Sequence, residues 1–304
     1  MKREIFATIL ITVIVLNGLI ATVFEVEREV AIKSDFILGY NELVNQDLVF
    51  SDEFNGYRDP KWVVQDDQTK YNRLSVNQAE NVELNENGEL VLTTKQEEDG
   101  SITTPYLTLA EDDLGNKLNY GYYEARVKFT NNNEFEEDTS VIPGTNILKP
   151  WGAFWMYPLE NGSGLGTEID VVENTIAGKV SGSIHEVDNY SALDEEQASS
   201  WFKGNEYDLI PSVYHRYGVY IEPNETENAA NYTLYIDGEK IETVTSTHPL
   251  GNQTVHLSME VATEDYQEGL QGQPIDDYNG ILDEQMIVDY VRIYQYNPEL
   301  HVRV

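Results

Sequence analysis

Six residues, Glu168-Ile-Asp-Val-Val-Glu173, carry the densest chemistry in the chain. Glu168 and Asp170 are two apart, so on a β-strand, where side chains alternate, they project from the same face. Glu173 is five from Glu168 and falls on the other face unless the strand holds one extra residue, which a β-bulge at Val171-Val172 supplies. Three carboxylates on one face suit glycoside hydrolysis. A retaining glycosidase uses a carboxylate nucleophile and a protonated carboxylic acid about 5–5.5 Å apart. A third acid between them can bond the nucleophile and hold the acid's proton through like-charge coupling. With 54 acids in 304 residues such a spacing also arises by chance. The argument therefore leans on context: Ile169, Val171 and Val172 mark a buried strand, where unpaired acids are costly unless they have a function.

Just upstream lies Trp151-Gly-Ala-Phe-Trp-Met-Tyr-Pro158. An aromatic face stacks on the apolar face of a sugar much as it packs in a core, so Trp155 reads either as a core residue or as a sugar platform. His185 lies in the next strand-like segment, 179–187. A lone histidine there is more often a hydrogen-bonded structural group than a catalyst.

The elements that must position these residues read as strands. Val82 to Thr94 is a hairpin pattern with Asn87-Gly88 as the two positive-φ turn residues, and Tyr232 to Ile241 is a second, turning at Asp237-Gly238. From Tyr122 to Phe129, Tyr122, Glu124, Arg126 and Lys128 share one face, while Tyr123, Ala125, Val127 and Phe129 share the other. Ile287 to Tyr294 repeats the style, and no long helical periodicity follows residue 24. Many short strands with Gly, Asn and Pro turns predict one β-sandwich of about 250 residues.

Composition narrows the function classes. Lys+Arg 19 against Asp+Glu 54 gives −35, a charge that repels nucleic-acid backbones and anionic membrane surfaces. The absence of Cys excludes disulfides, thiol nucleophiles and thiolate metal sites. After Lys2 and Arg3, Ile5 to Phe24 is twenty residues without a charge, which fits a signal peptide or a membrane anchor. Either topology leaves the remainder outside the cytoplasm, secreted or anchored, with membrane contact only through residues 5–24 if they stay uncleaved. The expected organisation is residues 1–24 as signal or anchor, 25–46 as polar spacer, 47–298 as catalytic domain and 299–304 as tail.

Several segments, in order, carry a resemblance: Asp52-Glu-Phe-Asn-Gly56, Tyr120 to Arg126, Gly152-Ala-Phe-Trp-Met156, Gly166 to Glu173, Ile184-His185, Tyr235-Ile-Asp-Gly238 and Val288 to Tyr294. Together, over roughly residues 46–296, the chain resembles glycoside hydrolase family sixteen, in the laminarinase, agarase and carrageenase branch with two residues between Asp170 and Glu173. The resemblance implies an all-β, concanavalin-like β-jelly-roll sandwich with a substrate cleft on its concave sheet and retaining endo-hydrolysis of a β-linked polysaccharide. It makes Glu168 the nucleophile, Glu173 the acid/base and Asp170 the assisting acid. Trp155, Arg126, Trp151 and His185 become cleft residues. It also places a structural Ca²⁺ on the convex side, at Asp289 with backbone oxygens near Glu53 and Gly88; the chemistry itself needs no cofactor. Two departures, Tyr217 to Glu222 and Val261-Ala-Thr263, stand where the family usually has a strand-ending Trp and a Gly-rich strand end.

The expected activity is hydrolysis of β-1,3- or mixed β-1,3/1,4-glucan by a monomer whose partner is its polysaccharide. The alternatives are an algal galactan hydrolase of agarase, porphyranase or carrageenase type and a non-catalytic glycan-binding jelly-roll. A polyanionic galactan would need cleft cations, in which this chain is poor.

Overall fold

The computed structural model describes residues 46–69, 75–109, 118–130, 150–158, 165–175, 179–188, 200–224, 229–261 and 284–296. The expected signal or anchor, nearly all of the spacer and the tail at 299–304 lie outside these residues.

The strands are, in chain order, β1 (Gln46–Asp52), β2 (Val63–Val64), β3 (Gln68–Thr69), β4 (Ser75–Asn77), β5 (Val82–Leu84), β6 (Leu90–Thr93) and β7 (Lys95–Gln96). Then come β8 (Ile102–Thr104), β9 (Tyr106–Leu109), β10 (Gly121–Phe129), β11 (Pro150–Pro158), β12 (Leu165–Glu173) and β13 (Lys179–Asp188). The last are β14 (Ser200–Asp208), β15 (His215–Pro223), β16 (Ala230–Ile236), β17 (Glu239–Ser246), β18 (Gln253–Val261) and β19 (Gln285–Tyr296). One 3₁₀ turn, Ala79–Asn81, is the sole helical element among the described residues.

Two antiparallel sheets face each other. One runs β17-β16-β15-β10-β19-β6-β5, with β1 also on β19; the other runs β14-β13-β12-β11-β18-β9-β2. A smaller sheet, β3-β4-β8-β7, lies apart from both ladders. The core fills the space between the large sheets. Tyr123, Ala125, Val127 and Phe129 point into it from β10, as their alternation predicts, and Phe154, Met156, Ile169 and Leu257 meet them from the other sheet. Each of the larger of these side chains contributes about 1.5–3 kcal/mol of transfer free energy. Gly152 is required by this packing, because a Cβ there would stand 2.7 Å from the Phe129 ring. The β11 backbone thereby approaches the opposite sheet closely, which seats the site strand.

The two hairpins differ from each other. At Asp237-Gly238 both residues take positive φ (52° and 83°), the two-residue turn that the sequence predicts. At Asn87-Gly88 only Gly88 does, at 75°. The Gly88 amide donates to the Asn85 carbonyl and the Asn85 amide to the Glu89 carbonyl, so the loop is longer by a residue. The Asn85 side chain explains the change, since its Oδ1 accepts from the Asn87 and Glu89 amides and stabilises the wider turn.

Candidate active site

The bulge in β12 is present. Along β13, Asp170 pairs with Ser183 and Glu173 with Ser181, so three steps on one strand match two on the other. Against β11, Trp155 pairs with Asp170 and Phe154 with Val172, which leaves Val171 as the extra residue. Ile169, Val171 and Val172 all enter the core. The register therefore brings Glu168, Asp170 and Glu173 onto the opposite face, Glu168 and Glu173 half-buried and Asp170 buried. Ala153 stands directly opposite Glu173 on β11, and its small side chain leaves room above the sheet there.

His185 lies opposite Glu168 on β13, and its Nε2 is 2.9 Å from Asp170 Oδ2. Burial first, and the Glu260 carboxylate second, push the Asp170 carboxyl up to about 7. Asp170 is thus poised to exchange a proton near neutral pH, as an assisting acid between two carboxylates would need.

Trp155 and Trp151 lie on the same face as the acids. The Trp155 indole is half-exposed and its Nε1 donates to Ser258 Oγ at 3.0 Å. Trp151 is buried and pairs in register with Glu260. Tyr157 meets the Trp155 ring edge-on at 6.1 Å, Tyr106 does so at 6.2 Å, and the His256 ring lies 4.4 Å from it at 31°. Four of these residues, Tyr106, His256, Ser258 and Glu260, are absent from the sequence reading. For the three on β18 the signal is the alternation of Gln253–Val261, where Thr254, His256, Ser258 and Glu260 interleave with Val255, Leu257, Met259 and Val261. The three apolar residues Val255, Leu257 and Met259 join the core, so the polar set must share the face of the acids.

Arg126 is not among them. It lies on β10 of the other sheet, on the face turned away from the core, with Nη1 2.6 Å from Asp289 Oδ2 and its guanidinium 4.3 Å from the centre of the Tyr214 ring. The expectation of a cleft arginine is corrected by strand alternation: Tyr123, Ala125 and Val127 face the core, so Arg126 must face outward, with a whole sandwich between it and Glu168. The same contacts bear on the expected Ca²⁺. Asp289 is bonded to Arg126, and Glu53 takes a two-pronged bond from Arg292, at 2.8 Å to each oxygen. Gly88 comes close to the backbone of Asn55 and Gly56. The Arg126 guanidinium thus occupies one oxygen of the Asp289 carboxylate that the resemblance gives to the ion. Among the described residues no group of three or more His, Asp or Glu gathers to hold a metal.

No protein-family model matches the sequence, and no curated protein matches it. Solved structures do match by fold. The chain is similar to an endo-1,3-β-glucanase from Streptomyces sioyaensis, with a TM-score of 0.61 at 18% identity over 84% of this chain and 98% of that one. It is similar to the laminarinase catalytic domain from Thermotoga maritima, with a TM-score of 0.56 at 21% identity over 83% and 98%. A β-glucanase from Bacillus licheniformis gives 0.58 at 19% identity over 80% and 96%. The all-β jelly-roll sandwich expected from the sequence is the fold that these proteins share with this chain.

Proposed function

We propose that the chain is a retaining, endo-acting β-glycanase of the glycoside hydrolase family sixteen type, with β-1,3- or mixed β-1,3/1,4-glucan as substrate. The observation that carries this reading is the bulge at Val171, which sets Glu168, Asp170 and Glu173 on one face beside a half-exposed indole. Glu168 attacks the anomeric carbon while Glu173 gives its proton to the departing glycosidic oxygen. Glu173 then takes a proton from water, which displaces Glu168 and restores the original anomeric configuration. Asp170 shares the charge of the pair, and Trp155 stacks on a sugar ring.

That the structural neighbours are glucanases and a laminarinase favours a glucan. So does the position of Arg126, because a cation removed from the acidic face is one fewer for a sulfated polymer. The reading includes export by residues 1–24, with the catalytic part secreted or anchored to the membrane by Ile5 to Phe24; mass spectrometry of the mature N-terminus distinguishes the two, a soluble product beginning between residues 20 and 30 removing the anchor.

The deciding experiment incubates purified residues 25–304 with laminarin, lichenan, agarose, carrageenan and porphyran and follows reducing ends and oligomer size. Short oligomers from laminarin or lichenan are expected. Cleavage restricted to a galactan would replace the substrate, and tight binding without cleavage would make the protein a lectin.

A further inference from the structure

His256 has no part in the double displacement, yet it is held at both ring nitrogens on the acidic face. It is buried on β18, directly opposite Trp155 in register. Its Nδ1 lies 3.0 Å from the Tyr106 hydroxyl and 3.2 Å from Thr108 Oγ1, and its Nε2 lies 2.6 Å from Thr254 Oγ1. Thr254 Oγ1 also bonds the Tyr157 carbonyl at 3.1 Å, so the imidazole is joined to a network of hydroxyls at both ring nitrogens. A ring anchored at both nitrogens cannot rotate without breaking hydrogen bonds in a buried site, each break costing desolvation that nothing restores.

That fixed ring is the bed of the indole. The Trp155 and His256 centroids are 4.4 Å apart with the planes 31° from parallel, while Trp155 Nε1 is tied to Ser258 two residues along the same strand. One face of the indole is thus covered and its N–H direction is set from β18. The side chain is only half-buried, and on the strand opposite β18 its cross-strand partner is Asp170. A stacking platform left free would lose rotamer entropy on every binding event; one already clamped loses little.

We propose that His256 is the positioning residue of the sugar platform: locked by Tyr106, Thr108 and Thr254, its imidazole holds the Trp155 indole against β18 so that an apolar pyranose face meets a preset ring. This rests on the glycanase reading for its ligand, but the clamp itself exists without one.

The test uses the full chain and separates the two. In the ligand-free protein, ¹⁵N spectra follow hydrogen exchange at the Trp155 indole N–H, assigned by its loss in Trp155→Phe. His256→Ala should speed that exchange, and His256→Phe, which keeps a flat ring, should restore much of the protection. With laminarin, His256→Ala should lower kcat/KM about two- to tenfold, the span of one aromatic pair, with the pH profile unmoved. The same substitution made in Trp155→Ala should add nothing, because a residue acting only through the indole has no effect once the indole is gone. Should His256→Ala fold poorly, Ser258→Ala removes the second clamp without touching the imidazole's hydrogen bonds and should also speed the exchange. Unchanged indole exchange in both variants, or a His256→Ala loss that persists in the Trp155→Ala background, overturns the assignment. If no glycan is turned over, the glycanase reading falls and the exchange measurement alone decides the clamp.

Discussion

His185 Nε2 and Asp170 Oδ2, 2.9 Å apart, join β13 to β12 beside Glu168 in a contact that survives either protonation state. An ionised Asp170 accepts from Nε2–H; a protonated one donates to a bare Nε2. The pair therefore holds the carboxyl in place while its charge changes. The contact is the hydrogen bond expected of a structural histidine, made to an acid of the candidate site.

Asp170 should leave a mark on stability against pH. Its carboxyl is raised from 3.8 to about 7 in the folded chain. A raised acid binds its proton more tightly when folded, so the stabilisation it gives is complete below about 3.8 and is lost as pH climbs through 7. Asp170→Asn cannot suffer that loss. The melting temperature of the variant relative to the unmutated protein should rise between pH 4 and pH 8, by about 2–4 °C for each kcal/mol recovered. Glu260→Gln removes the like charge and should shift the loss to lower pH. A difference constant across the range would mean that Asp170 titrates as an ordinary surface acid.

Glu168→Ala should reduce kcat by about three orders of magnitude or more without altering the melting profile, and azide should restore turnover as an α-glycosyl azide from the vacated nucleophile position. Glu173→Ala should instead suffer most on substrates with poor leaving groups, and azide should give the β-product. Proton NMR of the first product formed by the unmutated enzyme checks the pathway. Inverted configuration there would end the double-displacement proposal.

Truncating Trp155 to Ala should weaken binding and slow turnover together, by about 1–3 kcal/mol in transition-state stabilisation. The half-exposed indole makes stacking the expected role, whereas a core indole would be deep in the sandwich beside Phe154. Denaturant unfolding run alongside the kinetics distinguishes the two: a protein badly destabilised but kinetically intact would return Trp155 to the core.

Much of this site was legible because period-two alternation is strict. The bulge follows from the need to bring Glu173 to the face of Glu168 and Asp170, and the register has it at Val171. The role of β18 escaped because each of its residues is buried, so polar and apolar positions differ only in which face they bury. His256 acquires meaning from Trp155, a hundred residues earlier, and no local pattern contains that pairing. The Arg126 error has another origin. The resemblance assigned it a role, while its own strand pattern, with Tyr123, Ala125 and Val127 inward, had already put it on an outer face.

Arg126 therefore supports a prediction that sets the structure against that expectation. Its guanidinium lies between Asp289 and the Tyr214 ring, and the Tyr214 hydroxyl donates to Glu89 at 2.6 Å, so the cluster ties β10, β19 and the segment before β15 to the β5–β6 turn. Arg126→Met keeps the aliphatic stem and removes the charge. Because the arginine is about one-third exposed, solvent screens the ion pair, and the loss in unfolding free energy should be about 1 kcal/mol. kcat and KM on laminarin should stay within about twofold of the unmutated enzyme, since the whole sandwich separates this residue from Glu168. A tenfold rise in KM with unchanged stability would return Arg126 to the substrate site and call the assignment of the two faces into question.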